Sequence, residues 1–441
     1  MQSWFYDLAD YSETLLTAGE EITLSLAAEK TGFSRISAGK VRQAGSIEQR
    51  MVEVALRSSG RESRMNLMLS GNMESDRAPI RQAIDRLSAT LKTIPEDPHL
   101  PPLPDSGSGE VRSEGRLPRK SELIESLAGE ISGAESCGIA MTGMIFRGVA
   151  TSNAVRRWYE SPLTVIDGSM HLCESPGASK WGWAGVDWHG DEVMTRRDRA
   201  QQSLELLSRP LDTPEAGEYR AWLEPAALRD LFGPLLWNGA FSARAIEKGS
   251  SPFAPLFSGN ALDPRVHISE RPLAVGAPDF GAHGFILPQE IPLIASGKGV
   301  ERLTSPRTAM EFQLDTNGAS GAETPSALAI QGGEMDPATA CERVGNGLWL
   351  SHVHYCNMAA RDGARVTGVT RWIALRVRDG KPVAPVGTVR IDDSVIRLLG
   401  EGLLELGSEV ETIPDNHTYG SRHPRGAALP GILVEGLRVV A

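Results

Sequence analysis

Apolar and polar residues alternate in Glu21-Ile22-Thr23-Leu24-Ser25-Leu26 and again in Arg50-Met51-Val52-Glu53-Val54-Ala55-Leu56, and this period of two limits what the start of the chain can become. Successive side chains of a strand point to opposite faces, so both stretches predict strands with one apolar face. Ser58-Ser59-Gly60 supplies a hairpin turn after the second. Ala78, Ile80, Ala83, Ile84, Leu87 and Leu91 then recur at helical spacing, which predicts an amphipathic helix covering that face. Residues 1–94 therefore read as an α+β module.

Pro95, Pro98, Pro101, Pro102 and Pro104, followed by Gly- and Ser-rich sequence, resist both helix and strand and predict a linker over 95–120. A central α+β block over 121–211 opens with a short helix through Leu123, Ile124, Leu127 and Ile131. Strands over 138–142, 144–149 and 161–166 follow, then a helix over 191–208. Trp181, Trp183 and Trp188 fall in Gly-rich sequence and are expected to pack under the sheet rather than reach a ligand. The last block, 217–441, starts with a Leu-rich helix and continues in strands over 347–356, 367–377, 386–391 and 431–439. The 46 glycines and 28 prolines demand many turns, and the fold class is α+β with a β-rich C-terminal domain.

The formal net charge of -11 is spread along the chain, without the basic stripe of a nucleic-acid surface. Arg196-Arg197-Asp198-Arg199 is interrupted by acid and reads as a solvated helix face. The N-terminus shows no basic region followed by an apolar stretch, and no run approaches the ~20 apolar residues of a membrane helix. Cys137, Cys173, Cys341 and Cys356 form no CxxC pair, so free thiols and a cytoplasmic location are expected, with neither membrane nor nucleic acid as partner.

Candidate chemistry is sparse. His352, His354 and Cys356 alternate along one predicted strand and share a face there. Extended spacing nonetheless sets their donors roughly 6–7 Å apart, too far to meet one metal without a sharp bend. His417 and His423 lie in a Gly/Pro-rich loop with no ligand spacing of their own. No nucleophile elbow, P-loop or dinucleotide fingerprint is present.

Residues 220–255 carry the most specific pattern. Glu224-Pro225-Ala226-Ala227 opens a helix, Lys248-Gly249-Ser250-Ser251-Pro252-Phe253 closes the segment, and Gly233-Pro234-Leu235-Leu236-Trp237-Asn238 lies between. The frame resembles the active-site segment of the TldD/PmbA metallopeptidases, whose active members carry H-E-x-x-x-H where this chain has Gly233, Pro234 and Asn238. Three further stretches are similar to that family: Phe33 through Val41, Gly368-Val369-Thr370-Arg371 with the following Gly380-Lys381-Pro382-Val383, and the ending from Pro430. They run in the family's order along nearly the whole chain. The family's cysteine-bearing C-terminal loop corresponds to residues 416–423, which hold no cysteine, and its F-D-x-E-G-like turn reads Phe280-Gly281-Ala282-His283-Gly284.

The resemblance implies a TldE/PmbA-type subunit with no catalytic residue and no cofactor of its own. It implies zinc in a TldD-like partner, a heterodimer (or a homodimer when alone) and unfolded peptide as substrate. Two other readings stay open at the level of sequence. One is an autonomous metallopeptidase using His352, His354 and Cys356; the other is a binding module directed at a gyrase- or antitoxin-related target.

Overall fold

The computed structural model describes residues 1–441 except 106, 129–132, 176, 417, 419 and 441. Ile131 of the short predicted helix and His417 of the histidine loop thus lie outside the described residues.

The first sheet is built from β1 (Glu20–Ser37), β2 (Lys40–Ser58), β3 (Arg61–Met68), β4 (Gly109–Arg112), β5 (Ala134–Thr151), β6 (Arg156–Leu172) and β7 (Ala178–Gly185). Its order is β3-β2-β1-β5-β6-β4, with β7 also on β6. Alternation works as predicted: Ile22, Leu24, Leu26 and Ala28 of β1 are buried, with Val52, Val54 and Leu56 of β2 beside them. Both hairpin turns use left-handed pairs, Ala38-Gly39 and Ser59-Gly60, which suit the twist of the flanking strands. Two helices, α1 (Gln2–Glu13) and α2 (Met73–Leu91), add Phe5, Leu8, Ile80, Ile84 and Leu87 to this core. The second starts earlier than its apolar series because Asn72 caps it, its side-chain oxygen accepting from Glu74 N at 2.9 Å.

The expected division at 95–120 runs through this sheet. β1 pairs with β5 from Thr23 to Ile36, so the N-terminal and central blocks share one hydrogen-bonded layer. The Pro-rich stretch is followed by β4, parallel to β6, because the edge of β6 offers backbone partners to the Gly-flanked segment. The strands predicted over 138–142 and 144–149 are one strand, β5, passing through Gly143, where a Cβ would stand 1.9 Å from the Lys30 carbonyl oxygen. Trp181 and Trp183 lie on β7, buried with Trp188 under α4 (Gly190–Leu207), which follows α3 (Lys120–Leu127).

The second sheet contains β8 (Gly217–Leu223), β9 (Ile268–Glu270), β10 (Ile291–Ala295), β11 (Lys298–Gly299), β12 (Ala327–Ile330), β13 (Gly347–Ala360), β14 (Arg365–Arg378), β15 (Lys381–Pro385), β16 (Arg390–Ser394), β17 (Leu403–Pro414) and β18 (Gly426–Val440). β8 pairs with both β13 and β18, so β8, β13, β14, β16 and β18 close into a ring. Residues 386–389, predicted as strand, instead turn towards a loop, with Gly387 N donating to Asp212 O. α5 (Pro225–Trp237) packs its apolar stripe, Ala227, Leu228, Leu231, Phe232 and Leu235, into the core lined by Leu348, Leu350, Val366, Ile391 and Val434. No helix among the described residues is long and apolar enough to cross a membrane.

Candidate functional site

α5 begins as the sequence indicates, with Pro225 in the first turn, where its missing N–H has no cost. Its C-terminal end and cap hold the three positions that differ from the metal-binding motif. Gly233 is exposed, and a Cβ built there would meet nothing within 4 Å. Pro234 sits inside the helix and removes one amide donor. Asn238 has left helical geometry (φ -94, ψ 18), and its Nδ2 donates to Pro234 O at 2.7 Å, closing the helix end. These three positions offer a bare backbone, a ring without a donor and an amide turned back on its own helix. Trp237, 90% exposed, stands between them.

The strand alternative separates as well. β13 loses its β8 partner after Leu350, and the register against β14 slips between His354 and Asn357. Tyr355 takes a left-handed φ of 51° at that bulge. One extra residue reverses the alternation. Cys356 consequently packs against the core with Val353, and a Cβ on Gly368 would come within 2.9 Å of its Sγ. His354 is exposed, with its ring tilted against that of Tyr355 at 4.3 Å between centroids. His352 bonds Ser351 Oγ through Nδ1 at 3.0 Å. Burial pushes the His352 imidazole down to about 3 and the Cys356 thiol up to about 12, helped for the first by Lys180 and Arg229 and for the second by Asp230. His423 lies far along the chain in the loop after β17, and among the described residues no three His, Cys, Asp or Glu side chains converge on a position for a metal ion. The residues present do not fit a zinc centre.

Two carboxyls the sequence reading passed over belong to α5, Glu224 at its N-cap and Asp230 within it. Asp230 Oδ2 accepts from Val353 N at 3.2 Å, capping the β13 edge where β8 ends. Burial raises its carboxyl to about 6. Glu224 accepts from Trp349 Nε1 at 3.1 Å, and burial, then the nearby Glu411, raise it to about 7. Hydrophobic flanks and a lone carboxylate in a helix-opening segment give no hint of this in sequence; only the tertiary neighbours do.

Arg196 corrects another expectation. Rather than facing solvent, it reaches from α4 to Glu411 Oε1 on β17 at 2.6 Å and to Gly182 O on β7 at 3.1 Å. Arg197 donates to Glu125 O at 3.2 Å. The cluster joins layers, because half-buried guanidinium groups bond carbonyls and carboxylates together. A second tie is deeper: Arg422 Nε donates to Glu29 Oε2 at 3.2 Å and Nη1 to Leu163 O at 2.8 Å, with both side chains about 4% exposed or less. Arg147 Nη2 donates to Arg422 O at 2.6 Å, so the loop before β18 is pinned to the first sheet. At the Phe280 turn, Arg157 Nε donates to Gly284 O at 3.0 Å.

The fold is shared with known structures over essentially the whole chain. TldE from Thermococcus kodakarensis superposes with a TM-score of 0.79 at 13% identity, covering 99% of this chain and 100% of that one. A protein from Thermotoga maritima described as a modulator of a DNA gyrase gives 0.76 at 15% identity, covering 99% of each chain. One from Bacteroides thetaiotaomicron, described in the same terms, gives 0.77 at 14% identity, covering 100% of this chain and 98% of the other. Among curated proteins none matches. The family model of the PmbA/TldA metallopeptidase C-terminal domain matches residues 216–441, the segment that holds α5 and the closed ring, and with just over half of its length matched this chain belongs to the PmbA/TldD family.

Proposed function

We propose that this chain is the non-catalytic, TldE/PmbA-type subunit of a cytoplasmic two-subunit metallopeptidase that processes unfolded peptides. A TldD-like partner would hold the zinc and perform the hydrolysis. The observation that carries this reading is the end of α5. Gly233, Pro234 and Asn238 leave no imidazole to grip a metal and no carboxylate to take a proton from metal-bound water. The surrounding helix nevertheless keeps its full apolar contact with the ring, so the scaffold is intact where the chemistry is missing.

Exposed aromatic groups support pairing. Trp237 at 90% and Tyr355 at 75% exposure are aromatic groups of the kind that anchor interfaces. The net charge of -11 argues against a nucleic-acid surface, and stable binding to a gyrase- or antitoxin-related protein without a TldD-like partner would instead favour the binding-module reading. Copurification with an H-E-x-x-x-H-bearing relative, followed by peptide hydrolysis assays of each subunit alone and mixed, tests the reading. Activity is expected only in the mixture, and hydrolysis by this chain alone would refute it.

A further inference from the structure

The two sheets meet at α4 in a cluster where acid outnumbers base. Trp349 of β13 packs against the core beneath α4, which also holds Trp183 of β7. Its Nε1 donates to Glu224 Oε1 at 3.1 Å, and Glu224 N donates to Leu350 O at 2.9 Å, so this carboxyl is fixed in place from the second sheet's side. From the first sheet's side, Trp183 Nε1 donates to Glu192 Oε2 at 3.1 Å. Arg196 joins the two: Nη2 donates to Glu192 Oε1 at 2.8 Å, and Nη1 to Glu411 Oε1 on β17 at 2.6 Å and to Gly182 O on β7 at 3.1 Å.

The charged groups facing Glu224 and Glu411 are Glu192, Arg196 and Arg199 of α4 and Glu409 of β17. With every acid ionised, four carboxylates share two guanidinium groups. Arg196 is committed to Glu192 and Glu411, and among the described residues Glu224 bonds an indole N–H but no cation, although Arg199 attracts it. A neutral carboxyl there adds no repulsion, whereas an ionised one repels Glu411, the anion that ties α4 to β17. Burial first, and Glu411 second, raise Glu224 to about 7, so both of its forms are populated near neutral pH.

The other tie between the sheets differs. Burial works to raise Glu29, but bonds from Thr31, Gln49 and Arg422 outweigh it and hold the carboxyl below its usual value, so that pair stays ionised through the neutral range. One tie is fixed and the other answers to protons. We propose that Glu224 is a proton-operated latch between the two sheets. Neutral, it leaves Glu411 to hold Arg196 and keeps α4 against β17; ionised, it pushes on Glu411 and loosens that contact. A carboxyl raised by folding favours the closed form at low pH, so the latch opens as pH rises through about 7. It is built from this chain alone and is independent of the subunit reading.

Hydrogen exchange of the full-length chain at about pH 6 and about pH 8, corrected for intrinsic rates, tests the latch. Amide protection in α4 and over residues 409–412 of β17 is expected to fall about fivefold or more at the higher pH, while β1 and β5 keep theirs within about twofold. Glu224→Gln should abolish the fall and keep both segments protected at both pH values. Glu411→Gln, which removes the anion that holds Arg196, should leave α4 weakly protected at both. No fall in wild type, the same fall in Glu224→Gln, full protection of α4 in Glu411→Gln, or a fall that β1 and β5 share equally overturns the proposal.

Discussion

Glu224 follows β8, caps the start of α5 and accepts from Trp349, with a carboxyl raised to about 7 by burial and by Glu411. A carboxyl raised above its unfolded value binds more protons folded than unfolded, so its contribution is fully present below about pH 4.5 and is lost as pH rises towards 7. Glu224→Gln keeps an acceptor for Trp349 and removes the charge. It should stabilise the chain by roughly 2–3 kcal/mol at pH 8, with the gain vanishing below about pH 4.5. Urea denaturation of both proteins at the two pH values checks this, and equal destabilisation at both would contradict it. His352, held near 3 by burial, works in the opposite sense: its contribution is complete above about pH 6.5 and is lost as pH falls towards 3. At this scale sequence is a good guide to what is missing and a poor one to what is perturbed. Gly233, Pro234 and Asn238 are visible as non-ligands from their side chains alone. The shifts at Glu224, Asp230 and His352 come first from burial by the folded chain, with Glu411 adding to the first and Lys180 to the last, and those neighbours lie far away in the chain.

α5 was legible because its apolar spacing is regular and every such residue reaches the ring core. Trp237 interrupts nothing in that packing. Trp237→Ala should therefore leave unfolding stability within about 0.5 kcal/mol of wild type, while weakening association with a TldD-type partner by about tenfold or more. Unchanged affinity, measured by calorimetry or surface-based binding, would remove Trp237 from the interface. β13 was legible as a strand but not as a bulged one. The slip between His354 and Asn357 separates Cys356 from the two histidines, and an extra residue in a ladder carries no signal in a run that still alternates on paper. β7 was missed because Gly182 and Gly185 made its sequence read as loop, although Trp181 and Trp183 already shared a strand's period of two.

At the level of the whole molecule, composition and alternation indicated α+β with a β-rich second half, which the two sheets display. The joining of the first two blocks into one sheet was hidden, because pairing β1 with β5 brings together residues more than a hundred positions apart and such pairing leaves no local mark. The tie between sheets was hidden for the same reason. Arg422→Met leaves Glu29 buried without its cation and should cost about 3 kcal/mol or more, whereas Glu29→Gln with Arg422→Met should cost less than Arg422→Met alone. Additive losses in that double-mutant cycle would show that the pair is not coupled.

The proposed subunit role meets its most direct test in metal content and hydrolysis measured on one preparation. Purified alone, the chain should carry below about 0.1 zinc per molecule after dialysis against micromolar zinc and cleave no unfolded peptide, and cleavage should appear on adding a TldD-type partner. Zinc bound one-to-one by this chain's own side chains, or hydrolysis without the partner, would contradict the account.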